Sequence, residues 1–203
     1  MSAAERRYTA FAGTRRIGGG SLLDAALAAK DAEQDTAGPL LVFDDATGRV
    51  VDVDTRGTPE QVAARLAERN AAPAPPANPE PSADAAPRVR RRGRPSLGVV
   101  AREVTLLPRH WEWLSAQPGG ASVALRKLVE EARRTHADAD RRRAAQTAAY
   151  HFLSAIAGDL AGFEEASRAL FAGDRERFAS QMTAWPADVR DHALTLAFPR
   201  DNP

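Results

Sequence analysis

The chain contains no cysteine. Disulfides, thiolate zinc sites and cysteine nucleophiles are therefore excluded. Lysine is nearly missing too: Lys30 and Lys127 stand against many arginines. The formal net charge is only +1, so attraction to a polyanion must come from local clustering. No apolar run reaches the length of a bilayer-spanning helix. The opening MSAAERRYTAF has no apolar signal core, and a cytoplasmic location is expected. Four histidines, His110, His136, His151 and His192, are scattered without metal-motif spacing and read as surface or core residues. No metal and no cofactor is expected. A length of 203 residues leaves room for one or two small domains.

What is present concentrates between Arg88 and Arg134. Between Pro87 and Ser96 stand Arg88, Arg90, Arg91, Arg92 and Arg94, with no acid. Crowded guanidinium groups repel unless water or a polyanion screens them, and a phosphate backbone does so with release of counterions. The core Arg92-Gly93-Arg94-Pro95 resembles an AT-hook. The resemblance implies an extended Arg-Gly-Arg lying in the narrow minor groove of A·T-rich DNA. The residue types suit that role. Gly93 permits close backbone approach, arginine seeks the negative potential of the groove, and Pro95 favours an extended Arg94. A solvated linker is the competing reading, because an arginine- and proline-rich chain produces such strings by composition alone.

Val99 to Leu107 suits a half-buried strand through Val104, Thr105, Leu106 and Leu107. Pro108 fits the first turn of a helix, in which Leu107, Trp111 and Leu114 share a face. Gln117-Pro118-Gly119-Gly120 ends it, and Ser122 is the expected cap of a second helix with a stripe of Leu125, Leu128, Val129 and Ala132. Strand, helix, glycine turn and helix resemble the ribbon-helix-helix family of bacterial DNA-binding proteins. That resemblance implies an intertwined homodimer whose two-stranded ribbon enters the major groove. It would make Ala101, Glu103 and Thr105 the outward readers, with the charged Arg102 beside them. It would also place a phosphate near Gly120, Ala121 and Ser122 at a helix start. Glu103 departs from the pattern, since a carboxylate beside phosphates usually repels them. The competing reading is a plain helical hairpin packed into a larger core.

The N-terminal part, to about Arg69, reads as β-α-β-β-α. Tyr8–Phe11 is the first strand, Gly18-Gly19-Gly20 a break, and Ser21 the cap of a helix buried through Leu22, Leu23, Ala26, Leu27 and Ala29. Leu40–Phe43 and Arg49–Val53 pair across the loop Asp44–Gly48. Thr58 caps a last helix with Pro59 at its first position, buried through Val62 and Leu66. Asp44, Asp45, Asp52 and Asp54 form the one tight carboxylate set, a candidate Mg²⁺ or acid–base site or, more plainly, a polar hairpin rim. Residues Asn70 to Pro87 alternate proline and alanine as an extended linker.

Beyond Arg134 the pattern is helical. Asp140–Ala157 carries Ala149, Phe152, Leu153 and Ile156 at helical spacing. Gly158-Asp159 and Gly173-Asp174 each read as a helix stop followed by a cap, and Pro186 opens a last helix with Val189, Ala193 and Leu196. Taken whole, YTAFAGTRRI, LLVFDDATGRVVDVD, the segment from GRPSLGVV to LVEEA, and AGDLAGFEEASRALFAGDRERF resemble the uncharacterised bacterial family called domain of unknown function 2239. That resemblance implies no established activity or ligand.

The expected fold is α+β, with a small module over 1–70, a linker and basic arm over 71–97, a strand-helix-turn-helix unit over 98–136 and a helical bundle over 137–203. The expected function is a non-enzymatic, homodimeric DNA-binding protein or transcriptional regulator. Its candidate contacts are Arg90, Arg91, Arg92, Gly93, Arg94, Pro95, Arg102, Glu103, Thr105, Gly120, Ala121 and Ser122. The alternative is a protein-interaction or scaffold module whose C-terminal helices bind a protein partner. A third class, a metal-dependent enzyme, requires Asp44, Asp52 and Asp54 to converge. Strand 99–107 discriminates: paired with its twin it serves DNA binding, whereas added to the N-terminal sheet it cannot enter a groove.

Overall fold

The structure, a computed structural model, describes residues 6–33, 35–36, 38–71 and 102–199, with 70 and 71 described by backbone alone. Its elements in order are β1 (Tyr8–Ala12), β2 (Arg15–Gly20), α1 (Leu22–Ala32), β3 (Leu40–Asp44), β4 (Arg49–Val50), α2 (Pro59–Ala71), α3 (Pro108–Ser115), α4 (Gly120–Ile156), α5 (Phe163–Ala172), α6 (Arg175–Gln181) and α7 (Ala187–Ala197). They fall into two compact units, one of residues 1–72 with 136–203 and one of residues 73–135.

The first unit is built on an antiparallel sheet of order β2-β1-β3-β4. Strand alternation sends its side chains to two different cores. Ala10 and Val42, opposite one another, join Leu22, Ala25, Ala26 and Ala29 of α1 and Val62 and Leu66 of α2. On the other face Phe11 and Phe43 join Phe152, Leu153, Leu170, Phe178, Met182 and Val189. Phe43 meets Phe152 edge-on at 4.8 Å between centroids, and Phe11 lies 5.9 Å from Phe43. A sheet apolar on both faces needs cover on both. The C-terminal helices supply the second layer, so the N-terminal and C-terminal stretches share one core.

The α+β class, with an N-terminal sheet-and-helix module followed by a mostly helical C-terminal part, is as expected, and the module has one strand more than β-α-β-β-α: it runs β-β-α-β-β-α. Gly18-Gly19-Gly20 is not a break but the end of β2, paired with Ala10, Thr9 and Tyr8. The strand has no apolar alternation to betray it, and its glycines serve close packing. A Cβ at Gly18 would fall 2.5 Å from the Ala28 Cβ of α1. Only Arg49–Val50 of the expected return strand 49–53 pairs with β3. Val51 N still donates to Val42 O at 2.7 Å; beyond it, residues 52–57 are pinned by side chains: the Lys30 ammonium donates to Thr55 O at 3.1 Å and the Arg69 guanidinium to Asp52 O at 2.9 Å. Ser21 closes a full capping box with Asp24, and Thr58 with Gln61 does the same for α2.

Two further expectations are revised in the C-terminal part. Helix α4 runs unbroken from Gly120 to Ile156, so Asp140–Ala157 is not a separate helix; nothing between 134 and 140 is a glycine or proline that would stop it. Of the two Gly-Asp pairs, Gly173 is the left-handed stop of α5 and Asp174 caps α6 by accepting from Arg177 N at 3.0 Å. Asp159 caps nothing; α5 begins after Gly162, itself left-handed at φ 85°. The Trp185 indole N–H donates to Ala161 O at 2.8 Å and ties this loop to the core.

Candidate functional site

The second unit holds the expected strand-helix-helix residues. Arg90, Arg91, Arg92, Gly93, Arg94 and Pro95, with residues 98–101, lie outside the described residues. Arg102, Glu103 and Thr105 are exposed, and residues 102–107 belong to no helix or strand. The four strands of the sheet do not include them. Leu107 is extended (φ −67°, ψ 149°) and leads into α3, with Pro108 at its first turn. The turn to α4 passes through Gly119 (φ 88°) and Gly120 (φ 74°). Two successive left-handed residues favour glycine at both positions. Helix α4 starts at Gly120, so Ser122 lies inside its first turn rather than capping it. The Ser122 carbonyl instead accepts from the Arg126 guanidinium at 3.1 Å.

Burial inside this hairpin is slight. Leu114 and Ala124 are buried, whereas Val104, Leu107, Trp111, Trp113, Leu128 and Val129 are all exposed, Trp113 at 53% and Val129 at 55%. Two tryptophans and four aliphatics of this small helical unit thus stand in water. Along α4 the exposed charges alternate in sign, with Arg126 and Lys127 followed by Glu130 and Glu131, then Arg133 and Arg134. The Arg133 guanidinium pairs with Glu130 at 3.0 Å.

The first unit carries a different constellation, which sequence reasoning did not assemble. A cleft of about 770 Å³ is lined by the Arg7–Thr9 approach to β1, by β2 at Arg16, by the β3–β4 turn at Asp45, by α4 from Arg141 to Ala148 and by α7. At its floor the Thr9 hydroxyl donates to Asp45 Oδ2 at 3.1 Å. Asp45 Oδ1 faces His192 Nε2 at 3.5 Å, and both atoms are buried without a hydrogen-bond partner among the described residues. His192 is held edge-on against Phe152 at 4.7 Å and tilted against Phe11 at 5.5 Å. Burial, with Arg16 nearby, lowers its pKa to about 4, so the ring is neutral at neutral pH. Burial likewise raises the Asp45 carboxyl above its usual value, against the pull of the Thr9 hydroxyl, Arg16 and Arg7. The contact is therefore better described as a neutral imidazole beside a reluctant carboxylate than as an ion pair. The one sequence signal for His192 was its place on the apolar stripe of Val189, Ala193 and Leu196. Its partner Asp45 is remote in sequence and had been grouped with the other aspartates.

Those aspartates do not converge. Asp44 turns back to accept from Ala46 N at 2.9 Å. Asp54 is bound by Arg56 at 2.9 Å and Arg65 at 3.5 Å, and the Arg56 hydrogen bonds hold it well below the usual carboxylate range. Among the described residues no group of three histidine or acidic side chains is placed to hold a metal ion. No described helix is long and apolar enough to cross a membrane.

Comparison with known proteins adds one assignment. The model of the family described as an uncharacterised protein conserved in bacteria, DUF2239, matches residues 7–197. No curated protein and no solved structure matches the chain. The match spans both halves of the first unit and the whole hairpin, and the chain belongs to the DUF2239 family.

Proposed function

We propose that this protein is a non-enzymatic, cytoplasmic DNA-binding protein that works as a homodimer through the segment 88–134. The observation that carries the reading is the hairpin itself: an unpaired approach segment, a two-glycine turn and six apolar side chains, Val104, Leu107, Trp111, Trp113, Leu128 and Val129, left in water. A second copy can cover these side chains with the same residues of its own hairpin, as in an isologous dimer. In this reading segment 102–107 pairs with its twin, and Glu103 and Thr105 face the major groove with Arg102 beside them. The first turn of α4, at Gly120, Ala121 and Ser122, turns the N–H groups of Ala121 and Ser122 to a phosphate, that of Gly120 being taken by Gln117 O at 2.9 Å. The arm Arg90–Pro95 supplies the electrostatic and minor-groove contacts. The absence of 102–107 from the sheet favours this reading over one in which the segment extends the sheet edge.

The test is the oligomeric state and its coupling to DNA. Sedimentation of the full chain should give a dimer, and Trp111→Glu should give a monomer whose duplex binding drops with it. Trp111 is 39% exposed, and circular dichroism of the variant checks that its helices are kept. A chain monomeric at all concentrations, or a monomeric variant with undiminished DNA affinity, overturns the proposal.

A second reading, a protein-interaction module, is favoured by one observation on the first unit. Phe171 is 54% exposed and stacks at 5.4 Å from the half-exposed Tyr150, an aromatic pair suited to a protein partner.

A further inference from the structure

The cleft of the first unit is independent of the DNA reading, and its chemistry points elsewhere. Its volume, about 770 Å³, falls within the range of small-molecule sites. The apolar part of its wall is short and aliphatic, with Ala144, Ala145, Ala148, Leu196 and Pro199, and His192 is the one aromatic ring among its described lining residues. Such walls give no face for stacking a base and suit a compact aliphatic body.

The charges decide what that body carries. Asp191 pairs with Arg190 at 3.1 Å, and Arg141 pairs with Asp138. Asp188 accepts the backbone N–H of Arg16 at 2.9 Å. Arg7 and Arg16, by contrast, have no acidic partner within 4.0 Å among the described residues, although both act on Asp45 from farther away. Two guanidiniums beside a pocket, with no carboxylate in contact with either among the described residues, are donors open to an oxyanion. The floor adds a second requirement. Asp45 keeps 23% of its side chain exposed, while Thr9 and the packed His192 fix its orientation. Holding a carboxylate beside a buried imidazole with unmet bonding capacity costs stability. That cost makes sense where the carboxylate must be presented in one pose.

We propose that this cleft binds a small aliphatic organic acid, phosphate ester or carboxylate, that also bears a hydroxyl group. Arg7 and Arg16 take the oxyanion, and the Asp45 carboxylate accepts the hydroxyl. His192 and Thr9 are positioning residues behind Asp45.

The experiment follows the ring signals of His192, assigned with His192→Gln, by NMR of the full chain. The probes are inorganic phosphate, acetate, glycerol 3-phosphate, glycerate and glycerol. Glycerol 3-phosphate or glycerate should shift the His192 signals at lower concentration than inorganic phosphate and far below glycerol; which of the two acts identifies phosphate or carboxylate as the natural acid. Arg16→Ala, at an exposed position, should weaken that probe about 10- to 100-fold, the loss expected for a charge-assisted contact. Asp45→Asn should reduce glycerol 3-phosphate to the level of inorganic phosphate, or glycerate to that of acetate. Overturning results are no response to any probe, equal responses to glycerol 3-phosphate and inorganic phosphate with no response to glycerate, or binding that Arg16→Ala leaves unchanged.

Discussion

Gly48 is the place where the sheet half of the first unit touches its helical half most closely, and Gly48→Ala probes that contact. Gly48 ends the β3–β4 turn at φ 65°, its N–H donating to Asp44 O at 2.7 Å. A Cβ there would fall 1.7 Å from the Ala148 carbonyl oxygen and 2.9 Å from its Cα. Ordinary contact between such atoms is about 3.5 Å, so turn or helix must move by more than an ångström. Neither moves freely. Helix α4 is locked by Ala149, Phe152 and Leu153, all fully buried, and the turn is held by the His151 Nδ1 contact to Thr47 O at 3.0 Å. The left-handed backbone costs alanine about 1–2 kcal/mol and the overpacking about 1–3 kcal/mol more. The control is Gly13→Ala, also left-handed at φ 56° but with no atom within 4 Å of the added Cβ, which should lose only the first term, about 1–2 kcal/mol. Urea unfolding followed by circular dichroism measures both. Gly48→Ala should unfold at clearly lower urea than Gly13→Ala. Equal midpoints would refute the close approach of turn and helix.

Other consequences can be tested on the same chain. His192 titrates at about 4 when folded against 6.5 ordinarily, so its burial stabilises fully above pH 6.5 and that stability is lost as pH falls toward 4, about 3 kcal/mol in all. Asp45, with its raised pKa, works in the opposite sense, its contribution being lost as pH rises through that pKa; Arg7, Arg16, Asp188 and Asp191 are the other charges around the pair. His192→Phe should therefore flatten the fall in urea midpoint between pH 6.5 and 4, and an unchanged slope would contradict the burial of a neutral ring. Ser21→Ala removes the hydroxyl that accepts from Asp24 N, while the backbone N–H at that position still donates to Asp24 Oδ2, and it should cost about 1 kcal/mol, read by the same unfolding assay. Phe152→Ala empties the centre of the aromatic cluster and should cost about 3–5 kcal/mol; a loss below about 1 kcal/mol would place the core elsewhere.

Much of the fold was legible in the residues because its signals are local. Ser21-x-x-Asp24 and Thr58-Pro59 announce helix starts, Asp44–Gly48 announces a hairpin, and Gly173-Asp174 announces a stop and a cap. Strand β2 was hidden because Arg-Arg-Ile-Gly-Gly-Gly lacks alternation; its glycines answer to Ala28, a neighbour in space. The continuity of α4 was hidden because its middle, from Arg126 to Ala144, has no core face to impose a stripe. The shared core of Phe11, Phe43 and Phe152 depends on contacts across most of the chain, which periodicity does not encode. The cleft was hidden for the same reason. Thr9, Asp45 and His192 come from a strand, a turn and a distant helix, and each taken alone looks ordinary. The basic arm was plain in sequence, since clustered arginine needs no fold to be recognised.

The most direct test of DNA binding through 88–134 is a salt titration of the full chain against mixed-sequence duplex DNA, beside the variant carrying Arg92→Ala and Arg94→Ala. The reading predicts affinity that falls steeply and log-linearly with salt, and a variant that binds more weakly with a slope shallower by about two, one for each lost phosphate-neutralising charge. No binding at low salt, or a variant that matches the unaltered chain in affinity and slope, would contradict it.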